Sequence, residues 1–328
     1  MNDLLKGRVA IVTGSGQGVG RAIAIGLAMQ GATVVTNNRK PGSSGSAMLT
    51  QEQFDALSEE RKKWYLENQA QTAGDAETTA QTIRNMGGEA SAFFGDVSDF
   101  ETARELVETT VEKYGRIDIL CNVAGTFGIC EIDQISEELW DRVIRTKLKG
   151  TFNTMRFAVP YMKKQGFGRI INCTSRAFMG DVIKHAEYCA ANAGVVGLTR
   201  AAAIELREFG ITCNAFGPWA RTRASYELEA VNETSEGLMM GKLQPPKHEN
   251  TPLPETVVPF ITYLASEHSE KISGSIFTIA GNKIQLHQEP VITKTLSKPD
   301  FAGMWTVEEI IETAPRYMFF DYHSIADA

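Results

Sequence analysis

Residues 9–20 read VAIVTGSGQGVG. The apolar and β-branched residues 9–13 are typical of a buried strand, and an apolar segment with helical periodicity, Arg21–Gln30, follows the glycines. Glycines at this point allow a tight turn and a close backbone approach to a pyrophosphate, whose charge then lies at the positive N-terminus of the helix. A glycine-rich turn alone is also compatible with a purely structural turn. The strand before it and the helix after it favour a dinucleotide site.

The rest of the chain alternates short β-branched runs with longer segments of helical periodicity. The predicted strands are Val9–Thr13, Thr33–Asn37, Ala92–Val97, Ile119–Val123, Ile170–Thr174, Thr212–Phe216 and Ser275–Ile279. The predicted helices are Arg21–Gln30, Asp75–Met86, Phe100–Tyr114, Glu137–Lys164 and Glu187–Phe209. Near-continuous apolar strands separated by helices indicate a parallel sheet covered on both faces. We therefore predict an α/β fold of the Rossmann type, with a doubly wound, seven-stranded parallel sheet and helices on both faces.

The composition excludes several classes of function. The chain has 328 residues, of which 43% are hydrophobic and 22% charged, and its net charge of −7 argues against a nucleic-acid-binding surface. Five cysteines without a C-x-x-C pair indicate reduced thiols. No cluster of His, Cys and Asp has the spacing of a metal site, and no segment approaches a membrane span. We expect a cytoplasmic protein without a metal, nucleic-acid or membrane partner.

Three stretches interrupt the alternation, and we interpret each as an addition to a single domain of 328 residues. The first, 41–73, contains a capping-box pattern at Thr50–Gln53 and a charged helical segment. The second, 223–254, is rich in Met and Pro and follows a strand end, where a flexible apolar lid over a substrate would lie; an ordinary surface loop is the alternative. The third, 281–328, carries another capping box, Thr306–Glu309.

Four motifs stand at the ends of predicted strands and at the start of a predicted helix. The glycine turn (residues 14–20) is followed by Asp96-Val97 after the third strand and by Asn122-Val123-Ala124-Gly125 after the fourth. Ser175 stands thirteen residues before Tyr188. In this order and spacing, the motifs resemble those of the short-chain dehydrogenase/reductase family.

Less specific motifs narrow the resemblance to one branch of that family. Pro218-Trp219-Ala220-Arg221-Thr222-Arg223, the segment 275–283 and Met304-Trp305-Thr306 resemble the 3-hydroxyacyl-CoA dehydrogenase domain of multifunctional β-oxidation enzymes. Trp219 stands where the family usually has Gly. The family resemblance as a whole extends over residues 7–281.

The resemblance implies roles for residues at two ends of one site. At the catalytic end, it implies that Tyr188 exchanges a proton with the substrate oxygen while a nicotinamide exchanges hydride at the carbon, and that Ser175 hydrogen-bonds this oxygen. At the other end, it implies that the cofactor contacts Gly14, Ser15, Gln17, Gly18, Val19, Gly20, Asn38, Arg39, Asp96, Val97, Asn122, Ala124, Gly125, Pro218 and Thr222.

The residues after the second predicted strand bear on the choice of cofactor. An Asp here would bind both ribose hydroxyls of NAD and repel a 2′-phosphate, but the chain has Asn37-Asn38-Arg39-Lys40. The missing carboxylate and the added cations favour NADP(H). The Asn38 amide can still bond a ribose hydroxyl, and Arg39 and Lys40 can equally be a solvated pair, so that NAD(H) stays possible.

Two positions depart from the pattern that the resemblance implies. The family has a Lys four residues after the catalytic Tyr, whose charge lowers the pKa of the phenol, and this chain has Asn192 there. The family has an Asn on the preceding long helix, and this chain has Lys147 there. One hypothesis is an exchange, in which the Lys147 ammonium reaches toward Tyr188 and the ribose while the Asn192 amide bonds the ribose. The other is that both functions are lost and the fold binds nucleotide without efficient turnover.

These features predict an NAD(P)-dependent oxidoreductase that interconverts a secondary alcohol and a ketone. The Met-rich stretch and the branch resemblance favour a bulky apolar substrate, such as a hydroxyacyl-CoA, a steroid or an alicyclic or aromatic alcohol. The alternative is a non-catalytic nucleotide-binding subunit of a hetero-oligomeric dehydrogenase. The helices predicted at 100–114 and 137–164 correspond to the family's dimer interface, so the resemblance implies a homodimer or homotetramer.

Overall fold

Strands and helices alternate in the computed structural model, which describes residues 3–42, 49, 51–180, 183–234, 248–288, 290–299 and 304–321. The strands are β1 (Val9–Thr13), β2 (Thr33–Asn38), β3 (Ala90–Phe94), β4 (Ile119–Asn122), β5 (Gly168–Cys173), β6 (Ile211–Trp219), β7 (Ile276–Ala280) and β8 (Lys283–Leu286). The helices are α1 (Gly18–Met29), α2 (Gln51–Ala56), α3 (Glu59–Gln71), α4 (Ala76–Asn85), α5 (Phe100–Tyr114), α6 (Glu137–Ile144), α7 (Gly150–Gln165), α8 (Ala186–Leu206), α9 (Arg223–Thr234), α10 (Val258–Ala265) and α11 (Val307–Tyr317). The strands form one sheet in the order β3-β2-β1-β4-β5-β6-β7-β8.

Seven strands of this sheet are parallel, and the eighth is antiparallel to its neighbour β7. The prediction of a seven-stranded parallel sheet is therefore wrong by one edge strand. The turn at Gly281-Asn282 joins β7 to β8, and all four residues of β8 are exposed. An exposed edge strand lacks the continuous apolar run by which the other strands were predicted, whereas the Gly-Asn pair is a hairpin signal.

The two faces of the sheet are covered by different helices, which confirms the doubly wound α/β fold. Ala10 and Val12 of β1 belong to an apolar core that includes α1 and α10. Ile11, between them, belongs to the core on the opposite face, with α5, α7 and α8. Successive side chains of a strand point to opposite faces, so a strand covered on both sides must be apolar at every position.

The long helix predicted over Glu137–Lys164 is interrupted in the structure. Helix α6 ends at Ile144, one turn of π-helix spans Arg145–Lys149, and α7 continues from there. The hydroxyl of Thr151 donates a hydrogen bond to the Lys147 carbonyl oxygen at 2.8 Å. Such single π-turns are frequent at functional sites, and this one carries Lys147.

The stretch 41–73 contains helices α2 and α3. The Ser58 hydroxyl caps α3 by accepting a hydrogen bond from the Arg61 N–H at 3.3 Å. Thr50, the first residue of the predicted capping box, lies outside the described residues.

Both ends of this stretch lie at the glycine turn. The N–H of Gly42 donates a hydrogen bond to the Asp75 carboxylate at 2.9 Å. A Cβ atom on Gly74 would lie 2.5 Å from the Gly16 carbonyl oxygen, so only glycine fits this approach. The two ends of the segment that contains α2 and α3 therefore lie at one place, beside β1.

The stretch 223–254 begins with α9, and its Met- and Pro-rich part, 235–247, lies outside the described residues. The predicted lid therefore falls partly outside the described residues, which in this stretch are α9 and 248–254.

Contacts divide the chain into two units, Met1–His287 and Gln288–Ala328. Strand β8, which we had assigned to the C-terminal extension 281–328, belongs to the first unit. In the second unit, the predicted capping box at the start of α11 is present: Thr306 accepts from the Glu309 N–H at 3.2 Å, and Glu309 accepts from the Thr306 N–H at 2.7 Å. Among the described helices, none combines the length and the apolar character that a membrane span needs.

Candidate active site

A cavity of about 440 Å³ opens at the carboxyl ends of the parallel strands. Strand β1 lies between β2 and β4, so the strand order reverses there, and doubly wound sheets bind their ligands in the crevice at such a point. Most of the predicted site residues line this cavity. They are Gly14, Gln17, Gly18, Val19, Gly20, Asn38, Arg39, Asp96, Val97, Ala124, Gly125, Lys147, Ser175, Tyr188, Pro218 and Thr222.

The glycine turn brings the backbone of β1 close to the loop after β4. Gly14 has a φ of +63°, and a Cβ atom on it would lie 2.8 Å from the Cα of Ala124. A Cβ atom on Gly20 would overlap the Gly14 carbonyl group. In this described segment no side chain caps α1, and its first turn has no acidic residue. A helix N-terminus of this kind suits an external anion.

Asn38 ends β2 at the rim of the cavity, and the exposed Arg39 follows it. The side-chain oxygen of Asn38 is buried and finds no hydrogen-bond donor among the described residues. It lies against Gly16, where a Cβ atom would overlap it. A buried acceptor without a protein donor fits a ribose hydroxyl at the position where dinucleotide-binding folds hold one.

Asp96 and Val97 line the cavity after β3, in a loop fixed by hydrogen bonds. The Asp96 carboxylate accepts a hydrogen bond from the Ser98 N–H at 2.9 Å. The side-chain amide of Asn153, on α7, donates to the Val97 carbonyl oxygen at 2.9 Å. Both bonds hold the loop against the cavity.

Three predicted site residues do not line the cavity: Ser15, Asn122 and Asn192. The Ser15 hydroxyl accepts a hydrogen bond from the Asn37 N–H at 2.9 Å and so ties the glycine turn to β2. The Asn122 amide donates to Asn172 on the neighbouring strand at 2.9 Å. Ser15 and Asn122 thus support the residues around the cavity rather than line it.

Tyr188 lies in the first turn of α8 within a small aromatic group. Its ring centroid is 5.3 Å from that of Phe127 and 5.2 Å from that of His185. All three side chains line the cavity. This group closes the apolar side of the cavity around the phenol.

The environment of Tyr188 raises the pKa of its phenol. Burial raises the pKa of Tyr188, and the Cys173 thiol acts in the same direction, whereas the side chains of Ser175 and Asn192 lower it. Asn192, one helical turn later, also donates its amide to the Tyr188 carbonyl oxygen at 2.8 Å. A proton-transfer role therefore needs further positive charge near the phenol.

Lys147 brings a buried ammonium group to the same cavity. Its side chain is only 2% exposed and lies against Gly125, where a Cβ atom would be 3.1 Å from Cδ and 3.5 Å from Nζ. Burial raises the pKa of the Cys173 thiol, while the charge of Lys147 and a hydrogen bond with it lower that pKa. Cys173 is thus electrostatically coupled both to Lys147 and to Tyr188.

Comparison with known proteins identifies the family to which this chain belongs. A family model described as short chain dehydrogenase matches residues 55–225. The chain belongs to the short-chain dehydrogenase/reductase family. Members of this family are NAD(P)-dependent enzymes that act on CH–OH or C=O groups, and this chain is one of them.

Relatives within the short-chain dehydrogenase family cover most of the chain. It is 31% identical over 285 residues to an uncharacterized oxidoreductase of Thermotoga maritima, covering 84% of this chain and 97% of that one. It is 30% identical over 321 residues to the hydroxyacyl-CoA dehydrogenase ChsB1 of Mycobacterium tuberculosis, covering 95% and 89%. It is 30% identical to the peroxisomal hydratase-dehydrogenase-epimerase of Neurospora crassa, of whose length it spans only 26%.

A solved short-chain dehydrogenase supports the same assignment. The crystal structure of a short chain dehydrogenase from Mycobacterium avium superposes with a TM-score of 0.72 at 32% identity, covering 94% of this chain and 93% of that one.

Some residues of this short-chain dehydrogenase cavity were missed by the sequence analysis. Cys173 stands two positions before Ser175, and the alternation of an extended segment could have placed both on one side. Phe127 lies in a loop without a periodic signal. Arg223 and Leu228 of α9 line the cavity as well, although we had assigned their stretch only to a general lid.

Proposed function

We propose that the protein interconverts a secondary alcohol and a ketone on a bulky substrate, with Tyr188 exchanging the proton at the substrate oxygen. One observation carries this proposal: Tyr188, Ser175 and Lys147 line the same cavity as the glycine turn. Proton exchange and cofactor contact must occur within a few ångströms of one another for alcohol oxidation or ketone reduction.

The residues of the cavity fit a nicotinamide dinucleotide. The open backbone at Gly14 and the uncapped N-terminus of α1 suit its pyrophosphate, and the buried Asn38 oxygen suits a ribose hydroxyl. The loop at Asp96-Val97 would contact its adenine end, and Ala124 would contact it near β4. When bound, the nicotinamide supplies or accepts the hydride.

Proton transfer falls to the side chains of this chain. The Ser175 hydroxyl would hold the substrate oxygen beside the Tyr188 phenol. Because burial raises the pKa of Tyr188, a nearby cation must stabilise the phenolate for oxidation to proceed near neutral pH. The buried Lys147 ammonium is the cation that we assign to this task.

We infer that Lys147 and Asn192 have exchanged the positions that the family uses. The π-turn at Arg145–Lys149 supports this inference, because it carries Lys147 into the cavity wall. Asn192 acts through Tyr188: its amide binds the Tyr188 carbonyl, and its side chain lowers the pKa of the phenol. Contact of the Asn192 amide with the ribose remains part of the proposal.

NADP(H) is the cofactor that we propose as preferred. Arg39 lines the cavity next to the ribose-facing Asn38, and no carboxylate stands at the end of β2 to repel a 2′-phosphate. The free Asn38 acceptor suits an unsubstituted ribose hydroxyl, so NAD(H) is the second candidate.

The substrate that we propose is a hydroxyacyl thioester or another bulky apolar alcohol, such as a steroid or an aromatic or alicyclic alcohol. Phe127, Trp219 and Leu228 give the cavity apolar walls. One relative is named as a hydroxyacyl-CoA dehydrogenase and matches almost the whole chain. The name of this relative and the apolar walls of the cavity together favour a hydroxyacyl thioester as the substrate.

We also propose that the protein forms a homodimer or homotetramer and that it is cytoplasmic. Phe100 of α5, Trp140 of α6 and Phe152 of α7 are each about two-fifths exposed (38%, 41% and 43%). Large apolar side chains exposed on neighbouring helices are typical of an interface.

The decisive experiment follows the absorbance of NADPH and NADH across a panel of 3-oxoacyl thioesters, ketosteroids and aromatic ketones. We expect sustained turnover that Tyr188→Phe abolishes, while Tyr263→Phe, at a partly exposed tyrosine outside the cavity, retains it. Cofactor binding without turnover on any member of the panel would instead favour the non-catalytic subunit.

A further inference from the structure

The helices of the insertion pack on α9 rather than on the sheet. Tyr226 of α9 is fully buried, and its ring centroid lies 6.1 Å from that of Trp64 and 5.6 Å from that of Tyr65. The hydroxyl groups of Tyr226 and Thr72 are 3.2 Å apart. Helix α3 and α9 therefore share a small aromatic core of their own.

A line of polar side chains leads from this core to the cavity. The Tyr65 hydroxyl donates a hydrogen bond to the Glu227 carboxylate at 3.4 Å. The same carboxylate accepts from Nε of Arg223 at 2.6 Å, and the two charged side chains are only 1% and 7% exposed. Arg223 lines the cavity, whereas no described residue of the insertion does so. The described part of the insertion thus has a polar route to the cavity through Glu227 and Arg223, beside the apolar packing of its aromatic core on Leu228.

The guanidinium of Arg223 keeps N–H donors that are not used by the described residues. Its Nη1 is buried and has no hydrogen-bond acceptor among the described residues. Glu227 fixes the plane of the guanidinium through Nε and leaves the outer nitrogens for another acceptor. A buried cationic donor without an acceptor is costly, so an acceptor that arrives with a ligand is strongly favoured.

The place of Arg223 indicates which ligand group this is. The preceding residue, Thr222, reaches the glycine turn: a Cβ atom on Gly18 would lie 3.2 Å from the Thr222 methyl carbon. The phosphates of a dinucleotide lie at that turn, at the N-terminus of α1. When a dinucleotide is bound, we therefore expect its phosphate oxygens to be the anionic oxygens nearest to Arg223.

We propose that Arg223 binds a phosphate oxygen of the dinucleotide, and that Glu227 and Tyr65 are positioning residues that hold its guanidinium in place. This inference rests on the proposed dinucleotide site of the preceding subsection. A planar guanidinium held by a carboxylate on one edge offers its other edge to a phosphate, which a flexible ammonium does less well. The insertion then contributes to the cofactor site, although none of its described residues lines the cavity.

The test measures equilibrium binding of ADP-ribose and of adenosine by calorimetry, so that no turnover is needed. For Arg223→Gln we expect the Kd of ADP-ribose to rise about 10- to 100-fold, as for the loss of a charged hydrogen bond. Adenosine has no phosphate, and its affinity should not change. Arg223→Lys should fall between the wild type and Arg223→Gln. An unchanged Kd for ADP-ribose, or an equal loss for both ligands, would overturn the proposal.

A matched pair of variants tests the positioning role. Tyr65→Phe and Tyr226→Phe each remove one hydroxyl from the same aromatic core: the Tyr65 hydroxyl bonds to Glu227, whereas the Tyr226 hydroxyl lies 3.2 Å from the Thr72 hydroxyl. We expect Tyr65→Phe to weaken ADP-ribose about 3-fold, an effect that disappears when Arg223 is already Gln, since coupled residues are not additive. Tyr226→Phe should leave the Kd unchanged. Equal effects of both, or additivity with Arg223→Gln, would refute the positioning role.

These experiments distinguish failure of the proposed function from failure of the proposed role of Arg223. A wild-type protein that turns over no substrate but loses ADP-ribose affinity in Arg223→Gln would refute the proposed function and support the role of Arg223. An active wild type whose Arg223→Gln variant binds ADP-ribose normally would refute only the role of Arg223.

Discussion

The ammonium group of Lys147 lies beside the thiol of Cys173 and lowers its pKa, against the burial that raises it. Cys173 in turn raises the pKa of Tyr188. A cation, a thiol and a phenol therefore share one buried corner of the cavity, and the Cys173 thiol is coupled electrostatically to each of the other two groups. The lysine would serve catalysis by keeping that corner positive.

Removing the Lys147 charge should slow the reaction. In Lys147→Ala we expect kcat to fall about 100-fold, the size of effect seen when one preorganised electrostatic partner is deleted. The pH profile of alcohol oxidation should also move to higher pH, because the phenol loses the cation that favours its ionised form. Steady-state kinetics from pH 6 to 10 measure both effects. Lys149→Ala, on the exposed side of the same turn, is the control and should retain wild-type kinetics.

Restoring the usual arrangement of the family should preserve activity. The double variant Lys147→Asn with Asn192→Lys keeps one ammonium and one amide in the site, so we expect kcat/KM within about 10-fold of the wild type. Asn192→Lys alone places two ammonium groups in one buried corner and should be strongly impaired. A fully active single variant, or an inactive double variant that binds cofactor normally, would contradict the exchange.

Arg39 should decide the preference between cofactors. In Arg39→Ala we expect the Kd of NADPH to rise about 10-fold, because a charge-assisted bond to the 2′-phosphate is lost, while the Kd of NADH stays the same. Quenching of protein fluorescence measures both constants. Lys40→Ala removes the neighbouring cation, which does not line the cavity, and serves as the control. Equal weakening of both cofactors by Arg39→Ala would argue against a 2′-phosphate site.

Buried thiols should make the protein less stable at alkaline pH. Burial raises the pKa of Cys213 from 9.0 to about 12, so the folded state holds a proton that the unfolded chain releases. The unfolded state then binds fewer protons, and the free energy of unfolding falls as the pH rises above 9.0. Cys213 alone should lower it by about 1 kcal/mol at pH 10.

Urea denaturation at pH 8 and pH 10 measures this loss. Cys213→Ala changes the stability at both pH values by its packing cost, but it should shrink the difference between them. Cys189→Ala, at a partly exposed thiol, is the control and should keep the wild-type difference. A difference that Cys213→Ala leaves unchanged would contradict the assignment.

The sheet could be predicted from the sequence because burial on both faces demands apolar residues at every strand position. Val9–Thr13 shows this pattern, and the structure places this strand between the two apolar cores. The edge strand Lys283–Leu286 was not predicted, because exposed residues need not be apolar at every position. Strands and helices can therefore be predicted from the sequence where they are buried in the core, and less well at the edge of the sheet.

The cavity was predictable to the extent that its residues sit on regular elements. The glycine turn, Asp96 and Tyr188 follow strands or start a helix, so their order along the chain gives their place. The π-turn around Lys147 could not be foreseen, because its local sequence fits an ordinary helix equally well. The Arg223–Glu227 pair is a local contact within α9, but Arg223 was missed as a site residue because the hydroxyl that holds Glu227 comes from Tyr65 of the insertion, and such a long-range contact leaves no periodic trace.

Gly42 and Asp75, the two ends of the insertion, are joined by a hydrogen bond although 33 positions separate them. A segment whose ends already touch can be lengthened, shortened or exchanged without displacing any strand, because the cost of closing a loop grows only slowly with its length. Recombination at this single point could therefore graft a new arm onto the enzyme or remove the present one. If that arm sets the orientation of Arg223, affinity for the cofactor can evolve without any change in the residues that touch it.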